Sequence, residues 1–248
     1  MPLLMSSISL LPSIRLQDTS LFLDFDGTLV ELADRPDAVS LDASLKPLLE
    51  GLGDRLDGRL AIVSGRSVAQ LDTMLGRVAD RLTLVGSHGS EVRLEGRSVV
   101  APERPRALQH AENLFANAFA GETGVIVEVK SLGVAVHYRL APSAGPRANA
   151  LAENWGAQNG LLVQRGKMMV ELRPTGHDKG SGIAALMNGV PFGGHRPVFL
   201  GDDDTDEPGF AWCEAAGGFG VLVGAPRPTV ARYHLPDVAA VHSWLASL

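Results

Sequence analysis

The chain has 248 residues, 45% of them hydrophobic and 20% charged, with a net charge of -6 and no block of like charge. Such a length suits one large domain, or a core carrying a smaller insert, with apolar material enough for a real interior. The acidic balance argues against nucleic acid or an anionic membrane as the main partner, so an anionic ligand would have to meet positive charge inside a site. Cys213 is the single cysteine, which excludes an intrachain disulfide and is compatible with a cytoplasmic location. The first charge is Arg15, so Met1–Ser13 lacks the basic start of a signal peptide. No apolar run nears the ~20 residues of a membrane helix. Met1–Ser20 reads as a lead-in to the first strand.

The first hundred residues alternate strand and helix signals. Ser20-Leu21-Phe22-Leu23 reads as a buried strand ending at Asp24. Leu41, Leu45, Leu48, Leu49 and Leu52 fall at helical spacing. Leu60-Ala61-Ile62-Val63 is a second strand, stopped by Ser64-Gly65-Arg66, and Val68, Leu71 and Leu75 mark the next helix. Leu82-Thr83-Leu84-Val85 is a third strand, stopped by Gly86-Ser87-His88-Gly89. Strand, glycine turn and helix in succession predict an α/β fold with a parallel sheet. The grammar returns in Pro197-Val198-Phe199-Leu200, which runs into Gly201-Asp202-Asp203-Asp204, and in Gly220-Val221-Leu222-Val223-Gly224. In such sheets ligands bind beyond the carboxyl ends of the strands. Asp24, Asp26, Ser64, His88 and Asp202 all stand there.

The middle third differs. Leu108, Ala111, Leu114, Phe115, Ala118 and Phe119 predict an amphipathic helix over Pro105–Phe119. Alternating segments Val125–Lys130 and Val134–Leu140 follow, then a helix over Pro146–Gln158. Leu161–Gln164 and Met168–Leu172 come last, with Gly166 in the turn between them. Adjacent alternating strands predict antiparallel hairpins, hence an α+β insert over residues 104–174 within a core of 1–103 and 175–248. Alternation places Glu128, Lys130, His137, Arg139, Glu171 and Arg173 on one side of these strands, opposite the apolar side. A solvated face explains the alternation alone. The mixture of acid, base and imidazole suits recognition of hydroxyl groups better.

Asp24-x-Asp26 brings two carboxylates to a strand end, where they repel each other and call for a cation. Mg²⁺ suits an all-oxygen donor set, and no cysteine or histidine cluster favours zinc. A second acidic cluster, Gly201-Asp202-Asp203-Asp204-Thr205-Asp206-Glu207, exceeds what helix capping requires. It is not an EF-hand loop, because Glu207 stands where that loop needs glycine and Pro208 follows. Lys179 follows Asp178 at a helix start, where a cation opposes the helix dipole. Ser64 and the N–H groups of the helix after it could bind phosphate oxygens.

These four clusters, in this order, resemble the four motifs of the haloacid dehalogenase-like (HAD) phosphatase superfamily. At family level the chain is similar to the trehalose-6-phosphate phosphatases. The resemblance rests on Val63-Ser64-Gly65-Arg66, Ser87-His88-Gly89-Ser90-Glu91, Val136-His137-Tyr138-Arg139, Glu171-Leu172-Arg173-Pro174, Asp178-Lys179-Gly180 and the Gly201–Glu207 string. Ser90 departs from the small residue expected there. The resemblance implies a Rossmann-like parallel-sheet core of the HAD fold with an inserted α+β cap domain that closes over the site. It implies Asp24 as nucleophile, Asp26 as general acid and base, and Ser64 and Lys179 as holders of the phosphate. Mg²⁺ would be bound by Asp24, Asp202, Asp206 and the main-chain carbonyl of Asp26, with Asp203 or Asp206 orienting metal waters or Lys179. Arg66, His88, Lys130, His137, Arg139, Glu171 and Arg173 would meet the substrate, a small sugar phosphate. Sucrose phosphate, a mannosyl phosphate or a hexose phosphate are alternatives, as are a phosphomutase reaction and a non-catalytic sugar-phosphate sensor.

Overall fold

A computed structural model describes residues 11–32 and 42–248. Leu41 and the first ten residues of the expected lead-in lie outside the described residues. Pro102–His177 forms one compact unit and the flanking chain another. These bounds fall a few residues outside the expected 104–174 on either side.

In the flanking unit, apolar runs form strands β1 (Thr19–Leu23), β2 (Leu60–Val63) and β3 (Thr83–Gly86), with β4 (Glu91–Arg93) after them. Helices α1 (Leu45–Arg55) and α2 (Val68–Leu75) lie between them in sequence. Among the described residues the sheet has seven strands, in the order β11-β10-β9-β1-β2-β3-β4. The later strands are β9 (Arg196–Gly201), β10 (Phe219–Val223) and β11 (Tyr233–Leu235). Every pairing is parallel except β3 with β4.

β1, β2, β3 and β10 are buried along their whole length. Buried on both faces, they read as continuous apolar runs rather than alternations. Their side chains nonetheless divide by parity. Leu21 and Leu23 join Ile62 and Val198 in a core with Leu49 of α1, Leu71 of α2 and Val241. Phe22, Ala61, Val63 and Phe199 face the opposite layer, with Ile183 and Phe210. The helices of that second layer are α5 (Lys179–Met187) and α6 (Glu207–Ala215), and Val241 belongs to α7 (Val238–Ser247). The result is a doubly wound three-layer core. β1 is the switch point, pairing β2 on one side and β9 on the other. β4, β11 and α7 have no counterpart in the sequence expectations.

The unit Pro102–His177 contains α3 (Arg106–Ala118), β5 (Ile126–Lys130), β6 (Gly133–His137), α4 (Gly145–Asn159), β7 (Leu161–Gly166) and β8 (Met169–Pro174). Its sheet is antiparallel, in the order β5-β6-β8-β7. Leu108 and Phe115 of α3 and Ala148 and Ala152 of α4 pack on Val134, Val136, Val170 and Leu172. Two expectations shift. β6 ends at His137, so Arg139 stands in the following turn rather than on the strand face. The β7–β8 turn is Lys167-Met168, with Met168 at φ 65, because Gly166 still pairs with Met169.

Candidate active site

The carboxyl edge of the parallel sheet gathers the charged residues. Asp24 follows β1, and its N–H donates to Leu200 of β9 at 2.9 Å. Gly27, at φ 83, turns the chain so closely past the β9 loop that a Cβ there would overlap the Asp202 carboxylate. Only glycine fits that turn, both for its backbone conformation and for space.

Lys179 is the first residue of α5, whose start is secured by reciprocal capping between Asp178 and Ser181. A lysine at a helix start is disfavoured by the dipole, so this one must be held from outside. Its Nζ donates to Asp24 Oδ1 at 2.7 Å and to Asp206 Oδ1 at 2.6 Å. All three residues are buried. Burial disfavours the ammonium, but the fields of Asp206, Asp24 and Asp203 outweigh it and hold Lys179 well above the ordinary lysine range. Burial raises Asp24 well above the ordinary carboxylate range; Lys179 opposes this, while Asp206 and Asp202 add to it. Asp206 is raised for the same first reason.

Oxygens of Asp24, Asp202 and Asp206 lie within 4.8 Å of one another. Three carboxylates face one ammonium, an excess of negative charge that a hard divalent cation would relieve. The donor set therefore fits such an ion. Asp206 is the organiser of this loop. Its Oδ2 accepts the N–H groups of Asp202 at 2.9 Å and Asp203 at 3.0 Å, and Gly201 has no Cβ to obstruct it. Asp203 instead caps the next turn, accepting the Thr205 N–H and hydroxyl. Asp204 is exposed.

The Asp26 side chain does not join this cluster. Arg66 donates Nε to its Oδ2 at 2.6 Å and Nη2 to its Oδ1 at 2.7 Å. Arg66 was expected to meet substrate; here its fork occupies a carboxylate. Ser64 is buried after β2, and its hydroxyl oxygen accepts the Arg66 N–H at 3.1 Å, which leaves the hydroxyl hydrogen for another acceptor. The start of α2, expected to offer N–H groups to phosphate, is largely taken. Ser67 and Gln70 cap each other, and Glu91 accepts the Val68 N–H at 2.6 Å.

His88 lies in a left-handed run: Ser87, His88 and Gly89 have φ values of 47, 53 and 97. Such a run in non-glycine residues persists only when its surroundings dictate it. Here the Ser87 N–H donates to Arg66 at 2.8 Å and the His88 N–H to Ser64 at 3.0 Å. The imidazole fills the space over Gly65, 2.6 Å from where a Cβ would stand. His88 thus braces the Ser64 loop.

In the antiparallel sheet, Lys130 Nζ donates to Glu171 Oε2 at 2.6 Å, and His137 Nε2 lies 2.7 Å from Glu128 Oε2. Arg173 reaches the His177 carbonyl at 2.6 Å, and Arg139 reaches the Lys167 carbonyl at 3.4 Å. Glu171 lies over Gly133, where a Cβ would overlap its carboxylate. Sequence reasoning gave Glu91 no role beyond its place in the Ser87–Glu91 motif and missed Arg227. Arg227 donates to the Asp203 carbonyl at 2.6 Å and to Glu207 at 2.5 Å, bracing the acidic loop from behind. The visible signal was its place in Gly224-Ala225-Pro226-Arg227, a glycine–proline turn beyond the carboxyl end of β10.

A buried carboxylate held by a lysine, with further acidic oxygens at cation-binding distance, suits in-line phosphoryl transfer. On a doubly wound sheet with an antiparallel insert it defines a HAD-type phosphohydrolase. Known proteins narrow the class. The trehalose-phosphatase family profile matches residues 22–239. A probable trehalose-phosphate phosphatase of Sinorhizobium fredii is 37% identical over 95% of this chain and 89% of its own length. The trehalose-6-phosphate phosphatase of Escherichia coli K12 is also 37% identical, over 90% of this chain and 84% of its own. A crystal structure of a trehalose-6-phosphate phosphatase related protein superimposes with a TM-score of 0.76 at 26% identity, covering 92% of this chain and 95% of that one. The chain belongs to the trehalose-phosphatase family. Among the described residues no helix is long and apolar enough to cross a membrane.

Proposed function

We propose that the protein hydrolyses trehalose 6-phosphate to trehalose and inorganic phosphate. The observation that carries this reading is Asp24, buried between Lys179 and the acidic loop in a member of this family. Asp24 attacks phosphorus and becomes an aspartyl-phosphate, while Asp26 gives its proton to the departing sugar oxygen. Asp26 then takes a proton from the water that cleaves the aspartyl-phosphate, which restores both residues. Ser64 and Lys179 grip phosphate oxygens, and Lys179 offsets the negative charge of Asp24 and Asp206. Mg²⁺ is the cation that suits the donor set; Asp24, Asp202 and the main-chain carbonyl of Asp26 would hold it, supported by Asp206. Bound there, it would supply charge stabilisation to the transferring phosphoryl oxygens.

The experiment is phosphate release from a panel of sugar phosphates with Mg²⁺, using Asp24→Asn as the blank. Trehalose 6-phosphate is expected to have the highest kcat/KM, EDTA to stop turnover and added Mg²⁺ to restore it. A higher kcat/KM for sucrose phosphate or a hexose phosphate would reject the substrate; turnover in EDTA would reject the metal.

The sugar is assigned to the polar face of the insert, through Lys130, Glu171 and the residues beside them. Glu171→Gln keeps the size of the side chain and removes its charge. A hydrogen bond to a charged group contributes about 1.5–3 kcal/mol, so kcat/KM for the sugar phosphate should fall roughly ten- to hundredfold. Turnover of p-nitrophenyl phosphate, which has no sugar, should stay within about twofold. Unchanged kinetics on both in a fully folded variant would remove this face from recognition.

A further inference from the structure

The two aspartates of the nucleophile loop are divided between two cations. Asp24 turns to the Lys179 ammonium at 2.7 Å. Asp26, two residues on, turns to Arg66, which engages both of its oxygens at 2.6 and 2.7 Å. A guanidinium fork matched to both oxygens of a carboxylate sets direction as well as distance, which a point charge such as lysine does not. The fork is itself fixed. The Arg66 N–H rests on the Ser64 hydroxyl, and its carbonyl accepts the Ser87 N–H at 2.8 Å. Its guanidinium carbon lies 6.0 Å from the ring centre of Phe25, a fully buried residue between the two aspartates. The Arg66 side chain is 12% exposed and that of Asp26 27%, so the pair is partly shielded and Asp26 keeps an open side.

We propose that Arg66 is the positioning residue of the proton-transfer step: it acts through Asp26 and sets where that carboxyl group meets the leaving oxygen. The inference rests on Asp26 being the acid and base of the proposed mechanism. In the first step the Asp24–phosphorus bond forms, the phosphorus–sugar oxygen bond breaks, and the Asp26 proton goes to that oxygen. One Asp26 oxygen remains on Arg66 while the other carries the proton. In the second step a water oxygen bonds to phosphorus, the Asp24–phosphorus bond breaks, and the water proton returns to Asp26. The same hold orients Asp26 in both directions.

A sugar alcohol is a poor leaving group and needs that proton; p-nitrophenolate does not. The test is single-turnover and burst kinetics of Arg66→Lys and Arg66→Ala on trehalose 6-phosphate and p-nitrophenyl phosphate, with Asp26→Asn in parallel. General acid catalysis is worth typically 10²–10⁴-fold. Arg66→Ala is therefore expected to slow cleavage of the sugar phosphate about a hundredfold or more, while the p-nitrophenolate burst stays within about threefold. Arg66→Lys keeps the charge without the fork and guards against a folding failure; it should show the same split, more weakly. Parallel loss on both substrates would overturn the proposal, because it would place Arg66 on the phosphate they share. A raised KM for the sugar phosphate with kcat intact would overturn it too, by placing Arg66 on the sugar. If Asp26→Asn shows the split and both Arg66 variants do not, the inference fails alone. If Asp26→Asn itself lacks the split, the acid assignment fails and takes the inference with it.

Discussion

Asp24→Asn is expected to lower turnover by about 10⁴-fold or more, since an amide cannot act as the nucleophile proposed for this position. The same substitution should not weaken the fold. Burial raises Asp24 well above the ordinary carboxylate range and Lys179 only partly opposes this, so a negative charge at this position works against the metal-free fold. A neutral side chain of equal size removes that penalty, although it weakens the hydrogen bond from Lys179. The unfolding midpoint of Asp24→Asn in EDTA is therefore expected at or above that of the unaltered protein. The further rise produced by Mg²⁺ should shrink, because one of the proposed ligands is lost. Retained turnover would refute the nucleophile; a midpoint several degrees lower would refute the electrostatic account.

Lys179→Met should be the most destabilising single change in the site. It leaves Asp24 and Asp206 buried, with no ammonium between them. Removing one partner of a buried ion pair typically destabilises by about 3–5 kcal/mol. The pH dependence has a definite sign. Without Lys179, which opposes the upward shifts of Asp24 and Asp206, their folded-state pKa values rise further. Between the ordinary carboxylate value and those raised values, the folded state then binds more protons than the unfolded one. Stability of the variant increases as pH falls through that window. In urea denaturation with EDTA, the deficit of Lys179→Met should thus be smaller at pH 5 than at pH 7.5. A pH-independent deficit would mean that packing, not charge, accounts for it. Activity should be lost at either pH, since the cation proposed to hold the phosphate is gone.

Much of the fold was legible because the core strands are buried on both faces. Leu60–Val63 is an unbroken apolar run with the same bounds in sequence and structure. β4 and β11 were not legible, since three residues are too few for a period to show. α7 carried a signal in the Asp237 cap and in Val238, Val241 and Leu245 at helical spacing. The hairpin register needed the structure. Gly166 looks like a turn residue, yet it pairs with Met169 and leaves the left-handed position to Met168.

Asp24 marks where the line between sequence and structure falls. By itself, the sequence determined that carboxylates, a serine and a lysine stand at the ends of strands and starts of helices. Those are local properties, set by apolar periodicity and by turn and capping residues, and parallel-sheet grammar puts such ends on one edge. Only the tertiary structure decided which cation meets which anion. Lys179 is 155 positions from Asp24 along the chain, and Arg66 is 40 from Asp26. No local rule joins residues so far apart. Sheet order and glycines without a Cβ bring them within hydrogen-bond reach, and in doing so assign Lys179 to Asp24 and Arg66 to Asp26.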